Sequence, residues 1–164
     1  MRSRRGATLI EFTLVGMPIV FITLAIIEAS LGAWQFFTMQ YAIETVGRYV
    51  STHGRGCTQN GNNCALTVGD VATMIEDQAR ALEPSKLDIT LTTATSTRTC
   101  NPVTACVGNS AQFPSSTDNG VNQDILIQAT YPVASPLPLY WPGGAPSNSA
   151  TVTLGATTRQ RIQF

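Results

Sequence analysis

The sequence predicts an α+β chain in which one long N-terminal helix packs, by its second half, on a small antiparallel sheet. Three observations predict it. Residues 12–37 form an apolar run whose only charge is Glu28. Beyond its middle, Phe36, Met39, Ile43, Val46 and Val50 follow a three-four spacing, which is one face of a helix. Downstream, three stretches alternate apolar and polar side chains, as half-buried strands do.

The first element opens with "FTLVGMPIVFITLAII" at residues 12–27. A helix needs roughly 20 largely apolar residues to cross a bilayer, so a span over about 12–34 fits. A single segment in lipid must be helical, because only helices and closed barrels satisfy their own backbone there. Gly16 and Pro18 lie inside the run. Proline removes one helical hydrogen bond, a loss that membrane helices tolerate. Arg2, Arg4 and Arg5 precede the run and hold that end in the cytoplasm, while Trp34 suits the far interface. A cleaved secretory signal is the rival, with Ala29, Gly32 and Ala33 as its small-residue site. The run is long for a signal core, and helical spacing continues beyond it. The reading is therefore one helix from about residue 8 to about 52, within a segment 7–55. Gly54 and Gly56 end it, glycine being common just past a helix C-terminus.

Before the span stands "RSRRGATLIEF", which sets Glu11 at its entrance. A carboxylate at a bilayer centre costs roughly 2.5–3.5 kcal/mol on insertion scales, so Glu11 calls for a partner. The ordered set of arginines, Gly6, a short apolar stretch, Glu11 and the span resembles the class III signal of type IV pilins and pseudopilins. In that family a membrane prepilin peptidase cuts directly after the glycine, on the cytoplasmic side. The resemblance implies that residues 1–6 are a leader and that Ala7 becomes the new N-terminus. Glu11 is then the fifth mature residue, whose carboxylate neutralises the terminal ammonium of an adjacent subunit.

The likeness narrows. "RRGATLIEFTLVGMPIVFITLAIIEAS" is similar to the TadE-like family, the minor pseudopilins of tight-adherence (Tad) pilus systems. Gly6, Glu11, Phe12, Pro18, Ile27 and Glu28 fall at that family's places. Ala42, Gly47, Arg48 and Tyr49 in "YAIETVGRYVSTHG" match more loosely. The resemblance covers about the first third of the chain. It implies a pilin-like fold and a subunit that primes or caps a Tad-type pilus for surface adhesion. The implied partners are the prepilin peptidase, other Tad pilins and pseudopilins, the inner-membrane assembly platform and the lipid bilayer. The implied location is the bacterial inner membrane, crossed once, with the C-terminal domain periplasmic. Glu28 lies roughly 24 Å beyond Phe12 at about 1.5 Å per residue, near the outer edge of the hydrocarbon. It either reaches headgroups and water or makes a second inter-subunit contact. The alternative from another class is an unprocessed, membrane-anchored extracytoplasmic binding domain, with "PLPLYWPGG" as its recognition loop.

Composition narrows the function classes. The chain has 164 residues, a formal charge of zero and only 12% charged side chains. Loss of residues 1–6 takes three of the ten basic residues and leaves ten acidic ones, a net charge of −3. That balance offers no basic surface for nucleic acid. The four cysteines form two close pairs, "CTQNGNNC" and "CNPVTAC". Four cysteines allow three connectivities. Short loops rich in Asn, Gly and Pro favour Cys57–Cys64 and Cys100–Cys106, and such bonds persist outside the cytoplasm. A metal site built from His53 and the cysteines lacks any C-x-x-C spacing. His53 reads instead as a solvated residue at a helix C-terminus, where positive charge is mildly favoured.

Residues 56–164 are expected to form an extracytoplasmic α+β domain with two disulfide loops. "VGDVATMIEDQARAL" predicts a helix over 68–82, with Asp70 as N-cap, and with Val71, Met74, Ile75, Ala79 and Leu82 on one face before Pro84 stops it. "KLDITLTTAT" alternates through Leu87, Ile89 and Leu91, and a polar loop then carries the second cysteine pair. "QDILIQATYPV" places Ile125, Ile127, Ala129 and Tyr131 on one face, and a last strand runs through Val152, Leu154 and Ala156. Between these two strands, Pro136, Pro138, Pro142 and Pro146 stiffen an excursion that carries Tyr140 and Trp141. These aromatics either contact a partner or, for Trp141, fold back over the sheet as core. No catalytic set is legible. One histidine cannot complete a Ser-His-Asp arrangement, "WPGGAP" reads as a turn, and Asp70, Asp88, Asp118 and Asp124 lack metal-loop spacing. The sequence thus predicts no enzyme and no cofactor.

Processing gives the first test. Gly6 has no side chain, so its backbone can lie close in a peptidase cleft, and Gly6→Leu is expected to block the cut. Mass spectrometry of the purified chain should begin at Ala7. A mature protein starting at Met1, or near Ala33, contradicts the pseudopilin resemblance.

Overall fold

The computed structural model describes residues 5–53, 66–134 and 151–163. Arg2, Arg4, Gly54, Gly56, Cys57, Cys64, Tyr140 and Trp141 lie outside the described residues, so the expectations placed on them are not addressed by it. Helix α1 runs Arg5–Thr52 without a break and contains Pro18. Helix α2 spans Val68–Gln78. The strands are β1 (Asp88–Thr92), β2 (Thr97–Cys100), β3 (Asp124–Ala134) and β4 (Thr151–Arg161). They form one antiparallel sheet in the order β2-β1-β3-β4. This is the expected α+β class, a long apolar N-terminal helix packed on a small sheet. Two units divide the chain at Trp34: one holds the helix up to that residue, and the other starts at Gln35 and holds the whole sheet.

Within the second unit, the stripe anticipated from spacing is the buried one. Met39, Ala42, Ile43, Val46 and Val50 are each 0–2% exposed, and Phe36 packs at their margin. They share one core with Val71, Ala72 and Ile75 of α2, Ile89 and Leu91 of β1, and Ile125, Ile127 and Ala129 of β3. Period-2 alternation on the strands and period-3.6 spacing on the helices therefore converge on one apolar layer. Gly47 marks a tight approach. A Cβ there would lie 3.2 Å from both Gln160 Cγ and Thr158 Cγ2. The C-terminal end of the sheet is tied back as well: Ile162 is buried, and the Gln163 N–H donates to the Ser51 carbonyl at 3.2 Å.

Four expectations need correction. Asp70 is not the N-cap of α2; Thr67 is, with Asp70 as the third helical residue of a capping box. The Thr67 Oγ1 accepts the Asp70 N–H at 3.1 Å, while Asp70 Oδ2 accepts the Thr67 N–H at 2.9 Å. This reciprocal pair satisfies two helix-start donors at once. Second, α2 ends at Gln78 and not at residue 82. The helix closes at Ala79, whose N–H donates to the Ile75 carbonyl, and Glu83 before Pro84 is extended, as the ring's clash with the preceding residue requires. Ala79 and Leu82 stay buried through a turn closed by the Leu82 N–H on the Ala79 carbonyl at 2.8 Å.

Third, the sheet has four strands, not three. The loop expected to carry the second cysteine pair begins as β2, whose Cys100 pairs with Ile89. Its burial pattern is exposed at three of four positions, so it shows no alternation to read. Fourth, His53 is not simply solvated. Its ring stacks on Tyr49 at 3.9 Å, and Nδ1 lies 3.0 Å from the Tyr49 carbonyl.

The Gly47 crossing yields a stability test. Gly47→Leu must displace side chains of β4, and overpacking of this kind costs about 1–3 kcal/mol. In a domain of this size that corresponds to a fall in melting temperature of about 5–15 °C. Gly32 has nothing within 4 Å of an added Cβ, so Gly32→Leu should melt as the parent does. Calorimetry of the full chain in detergent separates the two; equal melting of all three proteins contradicts the close crossing.

Candidate functional site: the exposed N-terminal helix

Up to Trp34, α1 presents apolar side chains on every side. Ile10, Phe12, Leu14, Val15, Met17, Ile19, Val20, Ile22, Ile26, Ile27, Leu31 and Trp34 are all at least half exposed, Phe12 at 76%. A contiguous surface of that extent is foreign to a soluble monomer and marks a membrane or protein contact. A helix that is hydrophobic all round belongs in a core or a bilayer. By length and composition α1 is able to cross a membrane.

Two hydroxyls on this segment are satisfied within the helix. The Thr23 hydroxyl donates to the Ile19 carbonyl at 2.8 Å, and the Ser30 hydroxyl donates to the Ile26 carbonyl at 2.7 Å. Both bonds return one turn along the same helix, so neither hydroxyl needs water. Gly16 leaves a shallow notch beside the Phe12 ring, whose Cε1 lies 3.8 Å from an ideal Cβ position there. Phe12, Thr13, Gly16, Met17, Val20 and Phe21 line that notch, and a second one lies over Pro18. Such small-residue notches admit a neighbouring side chain at close range.

The anticipated processing and assembly-contact residues fall on this helix. Gly6 and Ala7 lie in its first turns. Glu11 is exposed, and no salt bridge among the described residues includes it. Glu28 is half-buried. The two carboxylates are separated by roughly 25 Å along the axis and by about 100° around it. They therefore do not form one site on this chain, and any groups that meet them stand on different sides of the helix.

The second cysteine pair is joined. Cys100 and Cys106 form a disulfide with Cα atoms 5.6 Å apart, bridging the end of β2 to a 3₁₀ turn at Val103–Cys106. A loop this short contributes on the order of 2–3 kcal/mol in the chain-entropy account.

Sequence spacing missed Asp118. It is 1% exposed. Its Oδ2 accepts from the Thr93 and Thr95 hydroxyls, the latter at 2.7 Å, from the Thr95 N–H at 3.2 Å and from the Ser115 hydroxyl at 3.1 Å. The Thr93 bond, then the Thr95 bond, hold its carboxyl below the usual range against the opposing effect of burial. Asp118 thus fastens the turn between β1 and β2 to the chain that leads into β3. The runs "TTATS" and "SSTD" contain every partner, yet nothing in the order of residues says that they meet. Among the described residues no group of three His, Cys, Asp or Glu side chains gathers to hold a metal. The start of α2 is closed too: the Val68 and Gly69 N–H groups donate to the Ala111 and Asn109 carbonyls at 2.8 and 2.9 Å.

No family model, curated protein or solved structure matches the chain.

Asp118 gives a pH test with a definite sign. Its folded pKa is depressed, so its stabilisation is full above the unfolded value of about 3.9 and is lost as pH falls through that value toward the folded one. Asp118→Ala should lower the melting temperature by about 5–10 °C at pH 7, as expected when the buried Thr93 hydroxyl and the more exposed Thr95 and Ser115 groups lose one charged acceptor. The gap to the parent should shrink steadily below about pH 4. A gap that is constant from pH 7 to pH 3 contradicts an ionised, hydrogen-bonded Asp118.

Proposed function

We propose that the chain is a minor pseudopilin of a Tad-type type IV pilus, which primes or caps pilus assembly for surface adhesion. One observation carries the reading. The helix is apolar on all sides as far as Trp34, bears Glu11 at its start, and continues unbroken into the helix that packs on the sheet. A plain anchor needs only the first of these properties. A pilus subunit needs all three, because its helix must leave the bilayer and pack among neighbouring helices while carrying its domain with it.

On this reading prepilin peptidase removes residues 1–6 after Gly6. The mature chain then crosses the bacterial inner membrane once, with its N-terminus cytoplasmic and its domain periplasmic. Glu11 meets the free ammonium of Ala7 on an adjacent pilin or pseudopilin, which neutralises two charges that are costly in lipid. The pair also sets the axial register of the two helices. The assembly platform in the inner membrane supplies the neighbours. Chemistry is done to this chain, and none is assigned to it. Glu28, on another side of the helix, is placed for a second neighbour or for the headgroup layer. Tyr140 and Trp141 remain candidates for partner contact.

Glu11→Ala tests the register role. Cleavage after Gly6 and membrane insertion should be unchanged, while crosslinking and pull-down with partner pilins should fall by about tenfold, as loss of a charge-assisted pair implies. Normal co-assembly of the variant would sink this role for Glu11.

A further inference from the structure

The turn that leads into β3 contains an asparagine–glycine step, Asn119–Gly120. Such a step can close on itself. The Gly120 nitrogen and the Asn119 side-chain carbonyl carbon are the two ends of a five-membered ring, and glycine has no Cβ to obstruct their approach. Attack forms a C–N bond and breaks the bond to the side-chain nitrogen, which leaves as ammonia. Water then opens the succinimide at either carbonyl and leaves aspartate or isoaspartate. Water consumed and ammonia released balance the change from amide to acid, so no oxidant or cofactor is needed.

The fold places a bond on the attacking atom. That nitrogen must give up its proton to react, and the Gly120 N–H donates it to Gln123 Oε1 at 2.7 Å. Gln123 holds Gly120 a second time, since its own N–H donates to the Gly120 carbonyl at 3.0 Å. Gly120 itself is exposed, so water reaches it. Both ends of the turn are fastened. The Asp118 N–H donates to the Ser115 carbonyl at 3.0 Å, and the Ile162 N–H donates to the Gln123 carbonyl at 2.9 Å.

We propose that Asn119–Gly120 is a site of spontaneous deamidation, and that Gln123 keeps it slow by holding the Gly120 N–H. The neighbours give the modification its consequence. Isoaspartate lengthens the backbone by a methylene between Asp118 and Gly120. Either product sets a new carboxylate next in the chain to Asp118, whose Oδ2 gathers four donors. Deamidation therefore loosens the turn that joins Asp118 to the chain just after β4.

The test uses the full chain in detergent, kept folded at mildly alkaline pH beside the same chain unfolded in guanidinium chloride. Peptide mapping by mass spectrometry follows the amide-to-acid change at Asn119, and an isoaspartyl methyltransferase detects the isoaspartate. The folded parent should react more slowly than the unfolded chain. Folded Gln123→Ala should react about threefold to tenfold faster than the folded parent, the worth of one hydrogen bond. Gln123→Glu keeps an acceptor and should stay with the parent. Gly120 does not have a positive φ, so alanine is accepted there. Adding Gly120→Ala to Gln123→Ala should suppress the reaction, because a Cβ now obstructs the ring closure. Melting should shift downward as isoaspartate accumulates. Asn109, which precedes Ser110, reports any general loosening. A Gln123→Ala chain that reacts at the parent's rate overturns the proposal. So does an equal acceleration at Asn109 and Asn119, a folded parent as fast as the unfolded chain, or an acceleration that Gly120→Ala leaves intact.

Discussion

Everything else in the domain depends on one stripe of α1 that must be out of water. Met39, Ala42, Ile43, Val46 and Val50 bury completely, and residues of α2, β1, β3 and β4 join them in a single core. At roughly 25 cal/mol per Å² of apolar surface, a stripe of this kind is the largest favourable contribution a small domain has. The sheet and the stripe need each other. Four strands with one buried face require a cover, and half of a helix with one apolar side requires a floor. Gly47 lets that helix come close, since any side chain there meets the side chains of Thr158 and Gln160.

The same helix changes surface character along its length. Before Gln35 no side of it is spared from apolar residues, and the Thr23 and Ser30 hydroxyls bond back to their own backbone. After Gln35 it is amphipathic, with Tyr41 and the Arg48–Glu44 ion pair on its exposed side. An exposed pair like this is worth little energetically. Its meaning is that this part of the helix faces water or a wet interface. The first part presents more apolar surface than a soluble helix carries. It needs lipid, or other helices, or both in turn.

Small polar devices hold the rest in place. The capping box at Thr67 and Asp70 starts α2, and the carbonyls of Asn109 and Ala111 complete the supply of acceptors there. Asp118 gathers four donors from two separate turns onto one oxygen. Asp124 at the start of β3 pairs with Arg159 at 2.6 Å near the end of β4, beside its register partner Arg161. These interactions fix turns and strand ends, where apolar burial alone leaves the chain undirected.

Periodicity in the sequence determined the helix, its buried stripe and three of the strands, because a repeat of 3.6 or 2 survives in the order of residues whatever the fold does with it. Composition determined the apolar span, and the ordered residues from Gly6 to Glu28 carried the family resemblance. The tertiary structure decided what has no period. β2 has four residues and one buried side chain, so it exists only because β1 offers an edge to pair with. The end of α2 at Gln78 falls where the apolar spacing runs on unchanged to Leu82. The buried state of Asp118 came from hydroxyls more than 20 positions away in the chain. Local order fixes which surfaces a chain must hide. Only packing fixes which distant polar groups are brought together when they are hidden.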